Sequence, residues 1–151
     1  MVVIRKATES DIQDMLPLVK VYWDFEGIAG YETGSVSIQL QRLLTESRIG
    51  SGWIAVNDGV AVGYLLAVYV FSLEHLGLTA EIDEFFVRSS SRGSGIGEKL
   101  LAAAEAEFCH IGCTNVSLQL SQHNEIARNF YHRHQYVERP GYDLLDKMLR
   151  T

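Results

Sequence analysis

The chain has 151 residues, of which 47% are hydrophobic and 21% charged, with a formal net charge of −6. This size accommodates one hydrophobic core, so a single domain over residues 1–151 is expected, and the composition excludes a disordered chain. The acidic balance argues against a nucleic-acid partner, which needs concentrated Lys and Arg, and suits a cationic substrate.

Val2 to Ala7 alternates as a first strand. Thr8-Glu9-Ser10-Asp11 supplies capping residues, and Ile12, Met15, Leu16, Val19 and Trp23 follow at helical spacing. Pro17 inside this helix removes a backbone donor and predicts a kink near Gln13 to Pro17. Asp24 to Gly34 loses periodicity and reads as a loop. Its aromatic and acidic residues suit either a wall that receives an ammonium group or a solvated loop whose aromatics tuck under the sheet. Val36, Leu40, Leu43 and Leu44 mark a short second helix. Trp53 to Val56, the turn Asn57-Asp58-Gly59 and Val60 to Phe71 form the clearest hairpin signal. The second run is apolar at nearly every position, as a central strand should be. Ser72 to Thr79 reads as a turn.

The next stretch, Ala80 to Ile111, organises the rest. Ile82 to Val87 has strand composition, and Ile96, Leu100, Ala104, Phe108 and Ile111 repeat at helical spacing. Between them lies Arg92-Gly93-Ser94-Gly95-Ile96-Gly97. Glycines at a helix start uncover successive N–H groups, which with the positive end of the helix dipole attract an anion such as a phosphate. The motif lacks the Lys and hydroxyl of an NTPase P-loop, and Glu98 stands where a dinucleotide fingerprint needs its last glycine. Cys109 and Cys113 with His110 have no second ligand pair, so no metal is expected. Asn115 to Leu120 is a strand, Asn124 to His134 a helix, and Val137-Glu138 and Leu144 to Leu149 flank Pro140-Gly141 as a last hairpin. His123, His132 and His134 receive no role.

The order β-α-α-β-β-β-α-β-α-β-β predicts an α/β fold with a mixed, mostly antiparallel central sheet flanked by helices. With R-x-x-G-x-G filled by Arg92, Gly95 and Gly97 just beyond a strand ending Phe85-Phe86-Val87, this order resembles the GNAT superfamily of N-acetyltransferases. Asn124 followed by Ala127, Phe130 and Tyr131 resembles the family's last motif. The resemblance implies acetyl-coenzyme A as co-substrate, with its pyrophosphate on Arg92, Gly93, Ser94, Gly95, Ile96 and Gly97. It places the pantetheine along the backbone of Phe85, Phe86 and Val87, with Asn124 and Tyr131 beside the arm and sulfur.

Acetyl transfer to an amine requires a base, because an alkylamine is almost wholly protonated at neutral pH. The resemblance offers Glu84, which we favour, or Glu81. A regular strand would send Glu81 and Asp83 to one face and Ile82 and Glu84 to the other, a phase that a bulge would shift. Tyr131 is the expected general acid, and Arg88 is placed to assist with the phosphates. The implied activity is transfer of an acetyl group directly to a primary amine of a small molecule. A protein lysine or N-terminal acetyltransferase and a non-catalytic acyl-coenzyme A sensor are the alternatives. No apolar run reaches membrane-spanning length and the N-terminus lacks signal-peptide design, so no membrane partner and a cytoplasmic location are expected. Exposed edge strands and the final hairpin would allow a homodimer.

Overall fold

The computed structural model describes residues 1–150. Strands β1 (Val2–Lys6), β2 (Gly50–Asn57), β3 (Val60–Ser72), β4 (Gly77–Val87) and β5 (Val116–Leu118) form one sheet in sequence order. The first four are antiparallel, and β5 runs parallel to β4. The mixed, mostly antiparallel sheet expected from the sequence is therefore present. Helices α1 (Ile12–Glu26), α2 (Thr33–Thr45), α3 (Ile96–His110) and α4 (Glu125–Arg133) complete the order. The chain divides into two compact units, one from Met1 to Gln119 and one from Leu120 onward.

The β2–β3 hairpin closes through Asp58 (φ 49°) and Gly59 (φ 82°), the paired left-handed conformation that suits the right-handed twist of its strands. β3 is third of five and buried from Ala61 to Ala67, as its apolar run requires. One face of the sheet carries α1 and α2 over Ile54, Tyr64, Leu66 and Phe86, with Met15, Leu16, Leu18 and Val19 from α1. The opposite face packs on α3, where Phe108 meets Trp53 and Tyr69 edge-on at 5.6 and 6.3 Å.

Several boundaries differ from the sequence reading. α1 continues through Pro17 to Glu26, so the connection to α2 is only residues 27–32. Glu32 ends it by accepting hydrogen bonds from the amides of Gly34 and Ser35, so its carboxylate stabilises the helix start. β3 and β4 extend into Ser72 to Thr79, leaving only residues 73–76 as the turn. β5 is confined to three residues. The expected final hairpin does not form: among the described residues, those after α4 make no strand. Apolar residues there pair adjacently as Leu144-Leu145 and Met148-Leu149, and this spacing lacks the period of two that would hold one side of a strand against a core.

Candidate active site

β4 is irregular where its carboxylates lie. Leu66 on β3 pairs with Glu84 and Ala67 pairs with Ile82, so Asp83 is an extra residue without a partner opposite. This is a β-bulge, and it resets the alternation. Tyr64 and Leu66 face α1, and directly paired residues share a face, so Glu84 and, through Val68, Glu81 both lie on the α1 side. Ile82 and Phe85 lie on the other. The opposite-face arrangement of Glu81 and Glu84 expected for a regular strand is thus corrected by one inserted residue.

Glu84 is held at both oxygens. Tyr64 donates its hydroxyl to Oε1 and Trp23 donates its indole N–H to Oε2, each at 2.8 Å. Burial pushes the Glu84 carboxyl above its ordinary range; the two donors oppose that shift and neighbouring Asp83 adds to it. Burial raises Asp83 as well, although its side chain keeps solvent contact. Burial likewise pushes the Tyr22 and Tyr64 phenols far up, with smaller contributions from nearby carboxylates that include Glu84 and Asp83, so both phenols remain protonated. Glu81 receives a long hydrogen bond from Gln119 at 3.4 Å.

Beyond the bulge, β4 outruns its parallel neighbour. The last β5 pair is Ile82 with Leu118, and β4 continues for five residues, Asp83 to Val87. The Arg88 amide donates to Val62 O on β3 at 2.7 Å. Alternation then directs the Phe86 amide toward β3, and those of Phe85 and Val87 toward the opposite side. Val87 O follows the same direction and accepts from Arg92 Nε at 2.8 Å.

The chain next makes a 3-10 turn at Ser89–Ser91 and passes through Gly93 (φ 80°) and Gly95 (φ 81°), both left-handed, before α3 starts at Ile96. Glycine adopts this conformation without the clash a Cβ would bring. An ideal Cβ at Gly95 would have no heavy atom within 4 Å, so the position is open as well as left-handed. Helix geometry leaves the first-turn amides of α3 without intrahelical acceptors. Beside this turn is a cleft of about 290 Å³ lined by Leu18, Val21, Phe25, Phe86, Arg88, Ser89 and Arg92. Arg92 lies 5.6 Å from the Phe86 ring and 6.0 Å from that of Phe25, so its guanidinium is held at the cleft wall by aromatic faces.

Of the aromatic and acidic residues of Asp24 to Gly34, Tyr31 packs edge-on against Trp23 at 5.7 Å and Asp24 accepts from Lys20. In the second unit, Asn124 caps α4 by accepting from the Ala127 amide at 3.1 Å. Tyr131 packs edge-on against Phe130 and Tyr136, each at 5.4 Å. Among the described residues, no three His, Cys, Asp or Glu side chains cluster as metal ligands do. Nor is any helix long and apolar enough to cross a membrane.

Trp23 and Tyr64 were visible in the sequence only as members of apolar runs. Their signal was chemical: each carries a donor that must find a partner when buried, and a carboxylate on the neighbouring strand supplies one.

Comparison with known proteins gives relatives of the whole chain and of its fold. A protein of Bacillus subtilis (strain 168), the uncharacterized N-acetyltransferase YhfO, is 29% identical over 139 residues, covering 92% of each chain. An aminoalkylphosphonate N-acetyltransferase of Salmonella typhimurium is 34% identical over 85 residues, 56% of this chain and 55% of that one. The crystal structure of aminoglycoside N-acetyltransferase AAC(6')-Iy in complex with CoA shares the fold with a TM-score of 0.85 and 20% identity, covering 97% of this chain and 95% of that one. The acetyltransferase (GNAT) family profile matches residues 15–136, and the chain belongs to that family.

Proposed function

We propose that this chain transfers an acetyl group from acetyl-coenzyme A directly to a primary amine of a small molecule. The observation that carries the reading is the construction of β4. Within seven residues it offers two carboxylates on one face and two amides directed away from β3, and it leads straight into the glycine turn of α3.

The residues fit the coenzyme. Gly93 and Gly95 expose backbone N–H groups at the positive end of α3, with Ser94 and the Arg92 charge beside them, which suits a pyrophosphate. The Phe85 and Val87 amides suit the amides of an extended arm added as a strand would be, with Phe86 between them. When bound, the coenzyme supplies the activated acetyl thioester. Glu84 accepts the amine proton, directly or through water, with Glu81 as the other carboxylate on that face. A raised proton affinity brings Glu84 closer to that task than an exposed carboxylate. Backbone N–H groups of the Phe85–Val87 segment stabilise negative charge developing on the acetyl oxygen. The resemblance of the second unit to the family's last motif assigns the proton for the departing sulfur to Tyr131, on the helix whose start Asn124 caps. The small-molecule acceptor is supported by relatives named for aminoalkylphosphonates and aminoglycosides.

Calorimetric titration of acetyl-coenzyme A, with Gly95→Glu as control, tests the cradle. Micromolar binding lost in the variant is the expected result; no binding by the wild type overturns the reading. Thiol release measured across a panel of small amines and lysine peptides then tests the acceptor class.

A further inference from the structure

We infer that Trp23 is a positioning residue for the Glu84 carboxylate and couples it to the α1–α2 connection. The inference rests on the reading of Glu84 as the base. Its two donors come from different layers. Tyr64 belongs to the sheet, and its wholly buried ring packs against Tyr22 and Phe86, each at 6.4 Å. Trp23 belongs to the last turns of α1, and its indole carries Tyr31 edge-on at 5.7 Å. The Tyr31 hydroxyl in turn donates to Leu16 O at 3.3 Å, so the connection at residues 27–32 is tied back onto the helix.

One oxygen of Glu84 is therefore fixed by the sheet and the other by the helix. A carboxylate has about four lone-pair sites, so two remain for an amine or water after both bonds form. Without the indole N–H, Glu84 Oε2 would lose its donor in a half-buried setting and the carboxylate would turn about its bond to Tyr64. The titratable groups around Glu84 in this unit are Tyr64 from β3, Asp83 beside it on β4, and Tyr22 from α1 with Glu26 near that phenol. Glu81 shares the face. These are acidic or phenolic, while the cations on this face lie one ring further out, Lys20 over Tyr31 at 5.3 Å and Arg92 over Phe86 at 5.6 Å, so the contacts made directly to the Glu84 anion are the hydrogen bonds from Trp23 and Tyr64.

The test is the pH profile of kcat/KM for Trp23→Phe, which keeps an aromatic ring and removes the donor. Loss of a hydrogen bond to the anion raises the proton affinity of Glu84, so the acid limb should move up by about half to one pH unit. On the acid limb, below the pKa of both proteins, activity should then fall about three- to tenfold relative to wild type at the same pH, with the KM for acetyl-coenzyme A unchanged. Benzothienylalanine at position 23, which replaces N–H by sulfur in the same shape, should give the same displacement if Trp23→Phe does not fold. An undisplaced acid limb in either variant overturns the inference while leaving Glu84 as base. Full activity of Glu84→Gln overturns the base reading and this inference with it.

Discussion

The two faces of the sheet are built for different ends. On the α3 side, Leu65, Ala67, Leu100, Ala104 and Phe108 are essentially removed from solvent, and Trp53 closes over them. On the α1 side equally buried apolar residues surround Tyr64, but there the sheet also sequesters a carboxylate. Burying a carboxylate disfavours its charged form even when hydrogen bonds satisfy it. The α3 face thus supplies stability, and the α1 face gives some up to hold a carboxylate.

The largest expected effect tests the stability side of that contrast. Phe108→Ala empties a fully buried site against Trp53 and Tyr69 and should cost about 3–5 kcal/mol, read by urea denaturation. Activity per folded molecule should be nearly unchanged. A loss of activity without a loss of stability would break the division between faces.

Glu84→Gln should do the reverse. Its amide can donate to Tyr64 Oη while its carbonyl accepts from Trp23, so the packing survives while the carboxylate proposed as base is removed. Activity should fall about 10²- to 10⁴-fold. Because the folded-state affinity of Glu84 for its proton is raised, its contribution to stability is complete below the unfolded carboxyl pKa and lost as pH rises through the folded value. The variant lacks that loss, so its stability relative to wild type should improve between acid and neutral pH. Paired denaturation curves at pH 4 and pH 7 measure it.

A second carboxylate, Asp11, has the opposite sign. Arg5 donates to both of its oxygens at 2.8 Å and the Thr8 amide donates to one, which holds its pKa down at about 2. Its contribution is complete above the unfolded carboxyl value and is lost as pH falls toward 2. Arg5 is half exposed, so the sum is about 1–2 kcal/mol. Asp11→Asn should remove that share at pH 7 and little of it at pH 2. Equal destabilisation at both values would show that Asp11 acts through packing alone.

Much of this was legible in the sequence because it rests on local rules. Asp58-Gly59 specified the first hairpin, the apolar run of β3 its central place, and the glycine turn the start of α3. The bulge at Asp83 was not legible: one extra residue leaves composition and strand propensity unchanged, and it is defined only by what β3 presents opposite. The bonds from Trp23 and Tyr64 to Glu84 span 61 and 20 residues, beyond any periodicity. The final hairpin failed for the converse reason, since Pro140-Gly141 satisfies the local turn signal while the adjacent apolar pairs Leu144-Leu145 and Met148-Leu149 lack the period of two a strand needs.

The smallest expected effect concerns Gly95, where the α1-face strand turns into the α3-face helix. Alanine there meets no atom within 4 Å, so its cost is conformational, set by φ 81°. That is about 1 kcal/mol, or a fall in Tm of about 2–4 °C for a chain of this length. Space around the new methyl is free in the protein itself, so stability reports only the backbone. Affinity for acetyl-coenzyme A reports what else needs that space. A loss of affinity greater than tenfold with so small a stability change would mean that the ligand lies where the methyl points; affinity within about twofold of wild type would move the phosphate contact away from Gly95 and toward the amides inside α3.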